Sequence, residues 1–286
     1  MRSLGKRVHT FLERQTSCVQ ASGTEIRQGQ GHAVRNFPTM VKKVAELSFR
    51  NPEFVLFFRG QPDDHRNSKH SSTFYPAIFR PSDGFSLPRA ELTRRFGLLG
   101  RSEKALMREY NLLGSLKVRR FQIVRWAILQ HYEICDTPLL DVTTSLRVGC
   151  SFAQRVQHEC CFVYVFALPQ ISGSVTASSE EGMQIVRLLS ICPPSALRPH
   201  HQEAYLLGEY PTMTLDAKQE YERKELDFSR RLLCKFRIPG GPEFSPPGYE
   251  SIPLAALFPD ERDELLEVKR RMEEQGNNVY DLREKG

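Results

Sequence analysis

Long apolar runs are missing from this sequence. No segment reaches the roughly 18 consecutive apolar residues that a transmembrane helix needs. The opening MRSLGKRVHTFLERQTS is charged and has no apolar core of the kind a secretion signal carries. The expectation is an intracellular, cytoplasmic protein with no membrane partner. Cysteine is sparse and irregular: seven residues, at 18, 135, 150, 160, 161, 192 and 234, with no C-x-x-C. An odd count at such spacings indicates neither a disulfide framework nor a zinc site, so reduced, partly buried thiols are expected. The eight histidines fall into no metal-ligand spacing, and no metal is expected. The chain also lacks G-x-x-x-x-G-K-[ST], a G-x-G-x-x-G after a strand, H-E-x-x-H, G-x-S-x-G and the kinase signatures. Internal repeats and low-complexity blocks are missing as well.

What is there is an ordinary globular composition. Of 286 residues, 40% are hydrophobic and 26% charged, enough for one large domain or two smaller ones. Net charge is +6 and unevenly spread. Residues 89–125 hold ten Lys/Arg against three Glu, a local +7. Such a run is either a surface for a polyanion or the solvated face of a helix.

Periodicity predicts a helix over 37–50 with Thr39 as its cap, and a strand over EFVLFF that ends on Arg59, Gly60 and Gln61. Residues 61–84 read as a turn-rich loop, 89–113 and 121–132 as helices, and 141–155 as a turn capped into a helix by Thr144 or Ser145. CCFVYVFALP (160–169) is the clearest strand, and 183–211 gives mixed signals. Then QEYERKELDFSRRLLC reads as helix, CKFRIP as strand and 239–253 as a connector. The last helix starts near Asp260 and stops near Gly276. Helices and strands mix without a βαβ rhythm, which predicts an α+β fold.

Several segments recur in a telling order: Phe58-Arg59-Gly60-Gln61, then Gln130-His131-Tyr132, then Leu139-Leu140-Asp141-x-Thr143-x-Ser145-x-x-Val148 to Phe152-Ala153, a hydrophobic strand, and finally Arg198, Gln202 and Tyr205. This order resembles the FRG domain family. Glu133 stands where that pattern carries glycine, and Gly149 where it carries alanine. The resemblance implies an N-terminal extension with a short helix over 1–45 and an FRG domain over 46–286 that includes the C-terminal helix. It also suggests a bacterial toxin or antiviral effector, with an antitoxin as a possible partner.

An arginine on an early strand, a Ser/Thr cluster at a helix start and a late acid or amide also resemble ADP-ribosyltransferases of the Arg-Ser-Glu type. That resemblance implies a mixed or antiparallel split sheet with flanking helices, NAD as cofactor, and a nucleic acid or protein as acceptor. It places Arg59 on an NAD phosphate or ribose, as an arginine fork suits a diphosphate. Ser145, with Thr143 and Thr144, would shape the nicotinamide site, and Gln202 or Glu203 would hold the ribose, where a carboxylate steadies developing positive charge. Gly60, Gln61, Tyr75, His131, Asp141 and Phe152 would line the cofactor, Gly60 by allowing close approach. Two other readings share these residues: a non-catalytic nucleotide- or nucleic-acid-binding module, and an NAD glycohydrolase. Plain structural roles compete at each position. Arg59 could pair with Asp141, Thr144 or Ser145 could be a simple cap, and Tyr75 could be packing. His131 could be a core residue bonded to backbone, and Gln202 and Glu203 could lie on an exposed turn.

Overall fold

The structure is a computed structural model that describes residues 1–5, 7–81, 87–156, 158–211, 226–259 and 262–274. In chain order these residues form β1 (Val8–Thr10), β2 (Val19–Ala21), α1 (Gly23–Gln28), β3 (His32–Ala33), α2 (Phe37–Arg50), β4 (Val55–Gln61), α3 (Arg89–Glu109), α4 (Ser115–Arg120), α5 (Gln122–His131) and β5 (Leu140–Thr143). They continue with α6 (Leu146–Ala153), β6 (Cys160–Leu168), β7 (Val175–Ser178), β8 (Met183–Arg187), α7 (Leu197–His201), β9 (Ala204–Glu209), β10 (Leu232–Pro239), α8 (Leu254–Leu257) and α9 (Glu264–Glu274). The fold is α+β. Eight strands follow the order β3-β10-β6-β4-β5-β9-β8-β7, and β1 with β2 forms a separate antiparallel pair. The sheet is mixed: β3 runs parallel to β10, whereas β10–β6, β6–β4, β4–β5, β8–β7 and β8–β9 are antiparallel.

The chain divides into two compact units, one comprising residues 1–74, 142–171 and 227–257, the other 75–141, 172–226 and 258–286. In the first unit, β4 and β6 are covered on both faces. Phe57, Phe58 and the run Val163–Leu168 are buried, which is why CCFVYVFAL reads as an unbroken apolar segment. The N-terminal segment closes the free side of β10. Val34 N donates to Arg237 O, Leu4 N to Arg230 O, and Thr10 Oγ1 to Leu233 O at 2.6 Å.

In the second unit, the inner faces of α3 and α5 bury Leu99, Leu106, Trp126 and Leu129, together with Leu188, Leu206 and Val268. A buried carboxylate sits inside this cluster: Glu103 accepts from Trp126 Nε1, Gln122 Nε2 (3.1 Å) and Arg125 Nε (3.2 Å). These donors offset the cost of removing the charge from water.

Several expectations are corrected. β4 does not stop at Phe58: Arg59, Gly60 and Gln61 are its last three residues, paired with Tyr164, Val163 and Phe162 of β6. Asn36, not Thr39, caps α2, and its side chain accepts from the Thr39 N–H at 3.0 Å. Leu140–Thr143, expected to be partly turn, is strand β5. The helix expected over 219–234 lies outside the described residues up to 225; beyond that, Asp227 caps a 3₁₀ turn over Phe228–Arg231 and β10 begins at Leu232. Asp260 and Gly276 lie outside the described residues, and α9 is preceded by Asp263, whose Oδ1 accepts from Leu265 N at 3.0 Å. Among the described residues, no helix is long and apolar enough to cross a membrane, and no group of His, Cys, Asp and Glu could hold a metal. All seven cysteines are free thiols.

Candidate functional site

Two segments of the FRG-like pattern meet in the first unit. Phe58 of β4 pairs with Thr143 of β5. The chain then turns at Thr144 and Ser145 into α6, which lies on the Phe58 side of β4. Its backbone occupies the space a side chain at Gly60 would need: a Cβ there would fall on the Gly149 carbonyl oxygen. Gly60 therefore admits a helix and not a ligand, which corrects the expected role. Thr143 is buried, and its Oγ1 accepts from Ser145 N at 3.0 Å, a local turn bond. Ser145 holds the N-cap position of α6 without a side-chain capping bond, and Phe152 is half-buried on that helix.

Strand alternation sends neighbouring side chains to opposite faces. Arg59 pairs with Tyr164 and so projects away from α6 and from Thr143. It is half-buried in a polar row, Arg59–Tyr164–Lys235, that crosses β4, β6 and β10. Lys235 Nζ donates to Asp64 Oδ2 and Ser72 Oγ, both at 2.7 Å. Asp64 also accepts from Arg66 Nε at 2.8 Å, Ser72 Oγ at 2.6 Å and Tyr164 OH at 3.1 Å. Burial opposes ionisation of Asp64, but the bonds from Lys235 and Ser72 outweigh it and hold the carboxyl below its ordinary value. Burial and the Asp64 carboxylate push the Tyr164 phenol up, and the cations Arg66 and Arg59 offset this in part. Gln61 shares the face of Arg59, and its Oε1 is buried with no partner among the described residues.

The remaining candidates sit in the second unit. His131 is 3% exposed. Its Nδ1 lies 3.2 Å from Asp141 Oδ1, while Asp141 Oδ2 accepts from Gln130 Nε2 at 3.1 Å. So His131 is a core histidine, bonded not to backbone but to a carboxylate. The carboxylate favours the proton on Nδ1, leaving a lone pair on Nε2, which is buried without a partner among the described residues. Gln130 is itself fixed by Thr137 Oγ1 at 2.7 Å. Tyr75 is half-buried against the apolar cluster. Gln202 is buried at the end of α7, its N donating to Arg198 O, whereas Glu203 is exposed with φ +44°.

Sequence reasoning missed a second buried centre, around Asp263. This carboxylate, 2% exposed, accepts from Tyr132 OH at 2.9 Å, Arg198 N at 2.8 Å and Leu265 N. The Arg198 guanidinium lies 4.5 Å from the Phe258 ring centre and 5.7 Å from that of Tyr132, and it pairs with Glu133 at 2.9 Å. Burial, then Asp263, pushes the Tyr132 phenol up. One signal was legible: Glu133 takes φ +54°, a conformation that favours glycine, at the position where the FRG pattern carries one. Comparison with family models, with curated proteins and with solved structures gave no match.

Proposed function

We propose that the chain is an NAD-using, ADP-ribosyltransferase-like enzyme of FRG type with a split-sheet architecture, acting on a nucleic acid or protein. The observation that carries this reading is the Phe58–Thr143 pairing, which makes neighbours of two motif segments 85 positions apart. After that pair β5 turns into α6, while β4 continues to Gln61. The pair is antiparallel, so the Thr144–Ser145 turn leaves on the Phe57 side of it and Arg59 follows on the Val142 side.

The face of β4 that carries Arg59 fits a phosphate-bearing ligand with free hydroxyls. Arg59 supplies a cation, and Gln61 Oε1 on the same face, with no partner among the described residues, is an acceptor suited to a ribose hydroxyl. Ser145 keeps a hydroxyl not used in capping. NAD would supply the ADP-ribosyl group. Arg59 would hold its phosphates and Gln61 would orient a ribose.

The second reading, a module that binds without turnover, is favoured by one observation: the buried late residue is the neutral Gln202, while Glu203 beside it faces solvent. One experiment separates the readings. The protein is incubated with NAD labelled in its adenylate half, with and without cell extract, beside Arg59→Ala and Ser145→Ala. Label on a macromolecule means transfer, and free ADP-ribose means hydrolysis. Bound NAD without nicotinamide release supports the module. No binding, and no release above the Arg59→Ala control, overturns all three.

A further inference from the structure

We propose that the exposed face of α3 is a docking surface for the phosphate backbone of duplex DNA. It stands on this helix alone and is independent of NAD use. Helical spacing sets the face. Ala90, Arg94, Gly97, Arg101, Lys104 and Arg108 recur at intervals of three and four and are all exposed. The opposite face carries the buried Arg95, Leu99, Glu103 and Leu106. At about 1.5 Å per residue, the cations from Arg94 to Arg108 span roughly 21 Å.

No acid lies on this face. Glu91 and Glu109 flank it half-buried, pairing with the exposed Arg94 and Arg108 at 2.7 and 2.9 Å and with Arg95 and Arg271 behind the face, so the two arginines keep exposed guanidinium edges for phosphate. Glu103 points inward to Trp126. Arg101 and Lys104 have no carboxylate within ion-pair distance among the described residues.

A second, independent feature points to a partner. Gly97 and Gly100 interrupt the middle of α3, where each costs about 1 kcal/mol relative to alanine. Packing does not require them: a Cβ on Gly100 would meet nothing within 4 Å, and one on Gly97 only Arg101 Nη1 at 3.8 Å. Bare backbone between Arg94 and Arg101 lets a polymer lie close against the helix.

The side chains choose among polyanions. The face carries no aromatic ring on which an unpaired base could stack. Its one hydroxyl, Thr93 Oγ1, is bonded to Arg89 O at 3.0 Å, so it offers no row of polar groups for RNA 2′-hydroxyls. It presents no large apolar side chain to a bilayer. Point charges alone suit sequence-independent contact with duplex phosphates, and a helix about 10–12 Å across matches a major groove about 12 Å wide.

The test is fluorescence anisotropy of a labelled mixed-sequence DNA duplex with the full chain across a NaCl series, without NAD. Duplex RNA of the same sequence and phosphatidylserine vesicles form parallel arms. Four phosphate contacts predict a log–log salt slope of about −3.6, and Arg101→Glu/Lys104→Glu should roughly halve it and weaken binding at least about tenfold. Thermal melting of that variant should match the parent. Gly97→Ala/Gly100→Ala should raise the melting temperature, whereas Gly97→Leu should weaken DNA binding. The proposal is overturned by absent DNA binding, by binding that survives charge reversal, or by preference for RNA or vesicles.

Discussion

Gly60 of β4 and Gly149 of α6 meet backbone to backbone. A Cβ on Gly60 would fall on the Gly149 carbonyl and crowd the Ala153 amide, whereas one on Gly149 would sit 3.0 Å from the Phe58 Cβ. Neither carbonyl nor amide can rotate away as a side chain could. Gly60→Ala should therefore cost about 3 kcal/mol through overpacking. Gly149→Ala regains about 1 kcal/mol of helix propensity and should cost clearly less. Urea unfolding midpoints of the two variants check the order.

The Lys235–Asp64 pair should respond asymmetrically. Asp64 keeps bonds from Ser72, Arg66 and Tyr164 when Lys235 is removed, but Lys235 loses its only carboxylate among the described residues when Asp64 is removed. Asp64→Ala should cost about 3–5 kcal/mol, the range for stranding a buried charge, and Lys235→Met less than half of that. Chemical denaturation of both variants measures the difference.

The same carboxyl sets an acid limit. Asp64 titrates below its ordinary value of 3.8 when folded. Between its folded and unfolded values the unfolded chain binds more protons, so stability rises with pH through that window. The contribution is complete above the ordinary value and disappears as pH falls through the folded one. Acid unfolding should be steep there, and Asp64→Asn should flatten that part of the profile.

Asp263 ties α9 to the chain through Tyr132, Arg198 N and its own Leu265 N. Asp263→Ala removes three bonds to a charged acceptor, each worth about 1.5 kcal/mol or more. Amide exchange over Glu264–Glu274 should accelerate more than exchange in β6.

Glu133 takes φ +54°, and its ion pair with Arg198 is 59% exposed on the Glu side. Releasing the strain should offset the loss of this pair, whose Arg198 end is buried. Glu133→Gly is expected to melt no lower than the parent, and Glu133→Ile well below it.

Patterns of apolar residues made much of this fold legible. Helix 37–50 and strand 160–168 follow from them, because both bury continuous or periodic apolar faces. What the pattern concealed were cations at interior positions. Arg231 is buried, its Nε donating to Ala167 O at 2.8 Å, and Lys235 sits on Asp64. Charged residues ahead of β10 therefore read as an exposed helix. At the candidate site, the motif segments could be read but not their faces. Alternation puts Arg59 and Thr143 on opposite sides of the sheet, a property of the β4–β5 register that no single segment encodes. The role of Gly60 was hidden likewise, since its partner Gly149 lies in another segment.

The arm that runs from Leu4 to Val34 along β10 has a practical consequence. It works as a hem. Its bonds to Arg230, Leu233 and Arg237 occupy groups that another chain's strand would otherwise recruit. A version trimmed back to Asn36 would carry a frayed border, and its solutions should cloud on standing while the full chain stays clear.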